Sequence, residues 1–212
     1  IPNRVDLRDK IIFTIDGEDA KDLDDAVRVI KLENGNYELD VHIADVSYYV
    51  RENSLLDQEA LIRGTSIYML GRVIPMLPRE LSNGICSLNA GEDRFTLSCS
   101  MEIDKKGKVI SSEIYKGIIK VTERMSYTDV QKIIDASDEV TLKRYQPYIQ
   151  EFKNMEELAI ILKNRRIEEG YLNLDIPESK IDLDIDGHVT NISKYETTFA
   201  HEIIEQFMLT AN

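Results

Sequence analysis

An acidic segment between two apolar stretches constrains the fold of this chain more than any other feature. Residues 14–26 read TIDGEDAKDLDDA and place five aspartates and one glutamate within ten residues. Apolar runs at 11–15 and 26–32, each predicted to be a strand, flank the segment and keep its carboxylates close to the core. Carboxylates packed this closely raise one another's pKa, and they oppose folding unless water or a cation neutralises them.

A divalent cation is one way to neutralise such a segment. Mg²⁺ prefers oxygen ligands and shares them with substrate phosphates. Two such ions, ~3.5–4 Å apart, activate water and stabilise the leaving oxygen in phosphodiester hydrolysis. The alternative is a solvated acidic loop, because most runs of charge are simply exposed to water. The segment taken alone leaves both interpretations open.

The first half of the chain has the pattern of antiparallel strands. Residues 26–32 and 37–46 flank a hairpin signal at 33–36, which reads ENGN. Residues 95–103 alternate apolar and polar side chains, which predicts a strand that is buried on its apolar face only. A lysine-rich turn then leads into a further predicted strand at 109–121.

Two capping-box spacings predict helix starts. Ser54 stands three residues before Asp57 and predicts a short helix in the first half. Thr128 stands three residues before Gln131 and predicts a helix that continues through Ile134.

The remainder of the second half predicts a long helix and a hairpin. Pro147 marks the start of the helix and Gly170 its end. Residues 181–185 and 189–192 flank Asp-Gly and predict the hairpin. The predicted fold class is therefore α+β, with mixed, mostly antiparallel strands followed by helices.

The charge balance excludes a protein that holds nucleic acid by its whole surface. The chain has 26 basic against 39 acidic residues, a net charge of -13 at pH 7. Proteins that bind RNA broadly are usually basic, because neutralising phosphates supplies much of the affinity. An acidic chain acts on RNA only where carboxylates carry metal ions and other domains supply a basic surface.

Cysteine content and hydropathy indicate a reducing compartment. Cys86 and Cys99 form no C-x-x-C pair, so we expect two free thiols with no disulfide partner. No apolar run approaches the ~20 residues that cross a bilayer, so no membrane association is expected. A cytoplasmic location follows as an expectation.

Five ordered stretches carry a family resemblance. Besides TIDGEDAKDLDDA, they are HIADVSYYV, RGTSIYMLGRVIPMLPRELSNGICSLN, RMSY and AHEIIEQFMLTAN. Together they resemble the ribonuclease II and ribonuclease R family in its RNB catalytic domain, with the ribonuclease R branch nearer. The resemblance covers nearly the whole chain.

The resemblance implies a processive 3′→5′ exoribonuclease that hydrolyses single-stranded RNA to nucleoside 5′-monophosphates with Mg²⁺, for which Mn²⁺ can substitute. In such a site Asp16 and Asp25 hold the metal most directly, and Asp22 assists through water. Asp24 is the residue whose loss stops the chemistry near the 3′ end. Whether one or two ions bind stays open.

Four further positions match residues that contact RNA in this family. Tyr68 matches an aromatic residue that clamps a base, and the alternative is a buried strand tyrosine. Tyr127 matches a tyrosine near the scissile end, and the alternative is a packing residue at a helix start. Glu205 matches a glutamate that contacts the terminal ribose, where a 2′-hydroxyl distinguishes RNA from DNA. Leu174 stands where the family commonly has a phenylalanine that stacks on the terminal base.

Three other motifs are weaker. Residues 182–187 begin like a calcium loop, but the twelfth position is Ser193 instead of glutamate, so a hairpin turn is predicted. The stretch 201–205 resembles a zinc-protease helix but lacks its second histidine. The basic cluster at 163–166 is predicted to be an exposed helix face.

Residues 1–212 are predicted to be the N-terminal portion of a single catalytic domain whose C-terminal part is missing. Residues 202–212 keep helical apolar spacing without a stop signal. Oligonucleotide-binding domains of the same full-length chain are the expected partners, besides single-stranded RNA. The isolated portion is expected to bind RNA poorly and to turn over little or nothing.

Two rival functions remain. A non-catalytic RNB homologue, acting as an RNA-binding or scaffold protein, is expected to have lost acidic residues that this chain retains. A metal-binding structural domain without a nucleic-acid role is the other rival.

Overall fold

A seven-stranded mixed sheet is the frame of the computed structural model, which describes residues 3–172, 176 and 179–212. The strands are β1 Val5–Asp6, β2 Phe13–Asp16, β3 Asp25–Lys31, β4 Tyr37–Ala44, β5 Ile67–Met69, β6 Arg72–Ile74, β7 Asp93–Ile103, β8 Val109–Lys120, β9 Glu123–Ser126, β10 Ser179–Leu183 and β11 Val189–Lys194. The large sheet has the order β1-β8-β7-β4-β3-β2-β9, and β5–β6 and β10–β11 form separate hairpins.

Six α-helices occur in the described ranges. They are α1 Val46–Tyr49, α2 Leu55–Arg63, α3 Tyr127–Ile134, α4 Glu139–Arg144, α5 Ile149–Glu168 and α6 Phe199–Ala211. A π-helical turn at Glu80–Ile85 and a 3₁₀ turn at Gln146–Tyr148 complete the helical elements. The predicted α+β class is confirmed, with parallel pairs only at β1–β8 and β2–β9 among the described strands of the large sheet.

Pairing of the central strands places the acidic segment at one end of the sheet. Strand β3 pairs along its whole length with β4, antiparallel, so that Asp25 lies opposite Ile43. Strand β2 pairs with β9 in parallel, and Asp16 lies beside Ser126. The segment between β2 and β3 therefore leaves and re-enters the sheet at the same end, as expected for an acidic connection held between two apolar strands.

Two apolar clusters cover the faces of the sheet. In the larger cluster, α3, α5 and α6 pack on the central strands, and the ring of Phe13 contacts Phe152 at 4.8 Å and Tyr148 at 5.4 Å between centroids. The smaller cluster includes Leu23 from the acidic segment and Leu88. A buried leucine within the acidic segment ties it to the core, because releasing such a side chain to water costs about 1.5–3 kcal/mol.

The predicted strands are confirmed, with ends that differ from the prediction by at most two residues. The predicted exposure of the polar face of β7 is wrong. Thr96 and Ser98 are 0% and 1% exposed, whereas Leu97 on the apolar face is 48% exposed. The buried hydroxyls satisfy one another, since Ser98 Oγ lies 2.9 Å from Thr96 Oγ1 and 2.8 Å from Nδ1 of the buried His42.

Glycine makes this polar packing possible. Gly117 on β8 lies opposite Thr96, and a Cβ there would meet Thr96 Oγ1 at 2.8 Å. A side chain at position 117 would force the hydroxyl pair apart. The alternating pattern of β7 does not indicate that a glycine lies opposite.

The helix starts are confirmed in one case and corrected in the other. Ser54 caps α2 and accepts a hydrogen bond from the N–H of Asp57 at 3.2 Å, as predicted. Helix α3 begins before the predicted Thr128 cap, because Ser126 accepts the N–H of Asp129 at 3.0 Å instead.

The other second-half predictions hold with one adjustment. Pro147 lies in the 3₁₀ turn that precedes α5, and Gly170 ends the helix with a φ of 94° that favours glycine. The hairpin β10–β11 forms as predicted.

Cys86 and Cys99 are free thiols. None of the described helices is both long enough and apolar enough to cross a bilayer.

Candidate active site

Hydrogen bonds from the stretch after the π-helical turn, at Ser87 and Leu88, anchor the acidic segment. Leu23 is 3% exposed, its N–H donates to Ser87 Oγ at 3.1 Å, and its carbonyl accepts from Leu88 N–H at 2.8 Å. The Ser87 hydroxyl donates in turn to the carbonyl of Lys21 at 2.9 Å. These bonds fix the backbone immediately before the pair Asp24-Asp25.

A single arginine holds the first half of the segment. Arg124 on β9 donates from Nη2 to the carbonyls of Gly17 at 3.2 Å, Glu18 at 2.7 Å and Ala20 at 2.8 Å. The guanidinium also places a positive charge beside the acidic segment, which offsets part of the repulsion among its carboxylates. The backbone of the segment is therefore held in place, while Glu18, Asp19 and Asp24 stay exposed to water.

Each of the four aspartates has a different environment. Asp16 ends β2, and its Oδ1 accepts the N–H of Gly17 at 2.6 Å. Asp22 Oδ2 accepts the hydroxyl of Tyr68 at 2.6 Å. Asp24 has an exposed side chain, and Asp25 begins β3 with a buried Oδ2 that finds no hydrogen-bond partner among the described residues.

Burial and mutual repulsion shift the pKa values of three of these carboxyls. Burial raises the pKa of Asp25 to about 6, and the charges of Asp16 and Asp24 add to the shift. The pKa of Asp16 is raised by burial and by Asp22, against the Gly17 hydrogen bond. Although Asp24 is exposed, the surrounding residues remove part of the hydration of its carboxylate, which raises its pKa, and the charges of Asp22 and Asp16 raise it further. Sites that push several neighbouring carboxyls in this direction are typical of cation binding or catalysis.

The donor set fits a hard divalent cation. All four side chains offer carboxylate oxygens, and the unpartnered buried oxygen of Asp25 is costly unless a cation or donor meets it. No three of the four aspartates bring one carboxylate oxygen each to within 4.8 Å of one another in the described structure. Repulsion between like charges opposes a closer approach, and hydrogen bonds hold Asp16 to Gly17 and Asp22 to Tyr68.

Tyr68 lies on the β5–β6 hairpin, next to the acidic loop. Its side chain is 66% exposed, so the alternative of a buried strand tyrosine is wrong. The hydrogen bond to Asp22 raises the pKa of its hydroxyl to about 12. With Ile43 and Leu77, its ring lines a cleft of about 360 Å³ beside Asp24. An aromatic ring and aliphatic side chains next to a carboxylate form a surface that suits a nucleobase.

Tyr127 is the first residue of α3 and lies close to Asp16 and Asp25. Burial raises the pKa of its hydroxyl well above the usual value, and the charges of Asp16 and Asp25 raise it further. Its ring stacks on the imidazole of His201 at 3.9 Å between centroids and an interplanar angle of 18°. The alternative of a packing residue at a helix start describes only part of this environment.

His201 also lies at the site, beside Tyr127 and near Asp16, and was not among the residues predicted from the sequence. Its Nδ1 accepts the N–H of Thr198 at 3.0 Å, which closes the cap of α6, and its Nε2 lies 3.4 Å from the Tyr195 hydroxyl. Burial lowers the pKa of His201, so the ring is neutral near pH 7. Its position within AHEIIEQFMLTAN, one of the stretches that carry the family resemblance, is the sequence signal for this role.

Two predicted RNA contacts are less defined. Glu205 is exposed on α6, one helical turn after His201, and its Oε1 lies 3.7 Å from Nη1 of Arg166. Its predicted contact with ribose stays a prediction. Leu174 lies outside the described residues.

Among the weaker motifs, the hairpin turn is confirmed. Asp184 Oδ1 accepts the N–H groups of Asp186 at 2.9 Å and His188 at 2.8 Å, the pattern of a hairpin turn. Asp184, Asp186 and His188 are the one described group with three possible metal ligands within 4.8 Å, and all three are exposed. The predicted exposed face of the basic cluster is only partly correct, because Lys163 and Arg166 are half-buried against α6, where Lys163 pairs with Glu202 at 2.7 Å and Arg166 donates to Gln206 Oε1 at 3.2 Å.

Comparison with known proteins gives this site its context. The RNB domain family matches residues 4–212. Ribonuclease R of Thermotoga maritima is 51% identical over 210 residues, which cover 99% of this chain and 29% of that protein. A structure of Mycoplasma genitalium RNase R in complex with ribose methylated single-stranded RNA matches with a TM-score of 0.92 and 33% identity, covering 100% of this chain and 33% of that chain.

A more distant structure shares the fold alone. Yeast Ssd1, a pseudonuclease, matches with a TM-score of 0.72 at 20% identity, covering 96% of this chain and 24% of that chain. The chain thus spans about a third or less of the length of each of these three proteins. Because the family match extends over all but the first three residues, the chain belongs to the RNB domain family.

Proposed function

We propose that this chain supplies the acidic site of a 3′→5′ exoribonuclease that hydrolyses single-stranded RNA processively to nucleoside 5′-monophosphates. One observation carries the proposal: an RNB domain retains four aspartates on one anchored loop, and one of their buried oxygens lacks a partner among the described residues. The structure of a relative with single-stranded RNA supports the class of substrate. We place the enzyme in the cytoplasm.

In this proposal Asp16 and Asp25 hold Mg²⁺ most directly, and Asp22 assists through water. Mn²⁺ can replace Mg²⁺, and the site takes one or two ions. The bound ion supplies a Lewis acid that neutralises phosphate charge and makes water a better nucleophile. Desolvation of Asp25 strengthens its attraction for a cation, because a buried carboxylate has little water to give up.

The chain's own side chains position the RNA end. Tyr68 stacks on a base in the cleft beside Asp24, which places the scissile phosphate next to the exposed carboxylate. Tyr127, held by His201, borders the same aspartates from α3. Glu205 accepts the 2′-hydroxyl of the terminal ribose, which favours RNA over DNA.

The rival function is that of a non-catalytic homologue. The fold is common to both functions, because a pseudonuclease has the same fold. The four retained aspartates favour catalysis, since repelling carboxylates destabilise a protein that has no use for them. We expect residues 1–212 alone to bind RNA weakly, in keeping with the net charge of -13.

The test uses the full-length protein that carries this chain. It is incubated with 5′-labelled single-stranded RNA and Mg²⁺, and the products are resolved at single-nucleotide resolution. We expect stepwise shortening from the 3′ end and release of nucleoside 5′-monophosphates, with no activity in EDTA. Internal cleavage, or release of nucleoside diphosphates that depends on added phosphate, would contradict the proposed reaction. No cleavage by the folded protein would favour the non-catalytic homologue.

Substitutions of Tyr68 separate the role of its ring from that of its hydroxyl. Base–aromatic stacking contributes about 1–3 kcal/mol, so Tyr68→Ala is expected to weaken binding of a short oligoribonucleotide roughly 10- to 100-fold. Tyr68→Phe keeps the ring, loses only the bond to Asp22 and is expected to bind nearly as well as the parent. Fluorescence anisotropy with a labelled oligoribonucleotide measures both. Equal losses in the two variants would show that the hydroxyl, and not stacking, matters.

A further inference from the structure

A second cleft lies next to the acidic loop, on the side of Asp22 and Tyr68. Its volume is about 560 Å³, and the β5–β6 hairpin and the loop form its walls. Three basic side chains from three different segments line it: Lys21, Arg72 and Arg79. Such convergence is unexpected in a chain with a net charge of -13, because acidic residues outnumber basic ones by 39 to 26.

The three cations lack the partners that neutralise comparable side chains elsewhere. Among the described residues none of Lys21, Arg72 and Arg79 forms an ion pair, and the recorded contact of Arg72 is from Nη2 to the sulfur of Met69 at 3.9 Å. The basic cluster on α5 differs, since Arg165 pairs with Glu169 at 2.8 Å. Exposed cations without carboxylate partners are available to an anionic ligand.

The acidic groups of the cleft belong to the loop. Glu18, Asp19 and Asp22 line it there, and Asp22 already accepts the Tyr68 hydroxyl. The fourth basic residue of the lining, Arg124, is occupied by backbone carbonyls of the loop. Arg72 and Arg79 come from the hairpin and the segment after it, so the cleft has a basic wall as well as an acidic one.

Tyr68 connects this cleft to the one beside Asp24. Its side chain, together with Ser66, Asp22 and Ser82, lines both clefts. A strand whose terminal nucleotide lies at Asp24 therefore meets the basic cleft on passing Tyr68. The ligand chemistry that fits is a chain of phosphodiesters, because arginine and lysine bind phosphates while stacking on Tyr68 fixes the base.

We propose that Lys21, Arg72 and Arg79 form a phosphate-binding subsite for single-stranded RNA, next to the catalytic aspartates and 5′ of the terminal nucleotide. This inference rests on the proposed function for the direction of the strand. The subsite supplies local positive potential that an acidic chain otherwise lacks, so it holds the RNA without depending on the net charge.

The test compares salt-dependent RNA binding by two full-length variants. One carries Lys21→Gln, Arg72→Gln and Arg79→Gln together. The matched control carries Lys105→Gln, Lys106→Gln and Lys108→Gln, which change the charge equally at the β7–β8 turn, at the opposite end of β4 and β7 from the site. All proteins also carry Asp24→Asn so that the RNA survives, and anisotropy of a labelled oligoribonucleotide is followed from 0.1 to 1 M salt.

Loss of three phosphate contacts is expected to make the slope of log K against log salt shallower by about 2. Affinity at 0.1 M salt then falls roughly 100-fold, and the curves converge near 1 M. The control variant keeps the parent's slope. Melting curves show whether the exposed substitutions leave the fold intact.

Each outcome decides between the subsite and the proposed function. An unchanged slope, or an equal loss in the control, would overturn the subsite even if the protein with Asp24 restored degrades RNA. A specific loss in a protein that shows no exonuclease activity would retain the subsite and refute the proposed reaction. No RNA binding by the parent would overturn both.

Discussion

Replacing Asp24 with asparagine is expected to lower the rate of nucleotide release by roughly 10⁴-fold, as loss of a residue essential to chemistry does in other hydrolases. Asp24 is exposed beside the cleft that Tyr68 lines, where the scissile phosphate is proposed to lie. RNA binding is expected to stay the same or to tighten, because the amide removes a negative charge that repels phosphate. Single-turnover cleavage with 5′-labelled RNA measures the rate, and anisotropy measures the binding.

Asp19→Asn is the matched control for this prediction. Asp19 lies on the same loop, is exposed, and has no matching role in the family. Because both substitutions replace an aspartate with asparagine, they change the charge of the loop equally. We expect nearly the parent's rate from this variant. Equal loss of activity in both variants would show that the charge of the loop matters and that Asp24 has no special role.

Replacing Asp25 with asparagine is expected to stabilise the fold and to impair the enzyme. The pKa of Asp25 is raised from 3.8 to about 6 in the folded state. At a pH between these two values the folded state keeps a proton that the unfolded state has released. Between its unfolded pKa and pH 6 the free energy of unfolding therefore falls as the pH rises, and above pH 6 the loss is complete. The shift corresponds to at most about 3 kcal/mol.

Denaturant unfolding in EDTA measures this prediction. The Asp25→Asn variant is expected to be more stable than the parent at pH 7.5, by up to about 3 kcal/mol, and to equal it near pH 4. Added Mg²⁺ is expected to stabilise the parent more than the variant, because the variant has lost a ligand. If the variant is less stable than the parent at pH 7.5 in EDTA, then Asp25 makes a structural contact and is not a strained, unpartnered carboxylate.

The sequence predicted the parts of the fold that depend on local patterns. Alternation and turn residues located β3, β4 and β7, because buried strands need apolar residues at every second position. The acidic segment was correctly placed between two strands for the same reason. The parallel pairing of β2 with β9 was not foreseen, because it joins residues more than a hundred positions apart.

The missed features of the site are long-range contacts between polar side chains. Arg124 holds the acidic loop through three backbone carbonyls, and nothing in its neighbouring sequence announces that role. His201 reaches Tyr127 only because α6 packs against α3. The bond from Tyr68 to Asp22 likewise joins two separate elements. Such contacts depend on how elements pack, whereas single-sequence patterns report only on each element.

The buried polar face of β7 was mispredicted for a related reason. Alternation assigns serine and threonine to solvent, but their hydroxyls are satisfied across the sheet by His42 and have room above Gly117. A glycine on a neighbouring strand has no sequence signal that connects it with these residues.

The position of a bound metal ion would show whether the four aspartates form a metal site. Crystals of the full-length protein grown with Mn²⁺ give an anomalous difference map that locates the metal without reference to activity. We expect a peak in contact with the carboxylates of Asp16 and Asp25, with Asp22 beside it. No peak at the acidic loop, or a peak only at the exposed Asp184, Asp186 and His188 on the hairpin turn, would show that the four aspartates do not form the metal site.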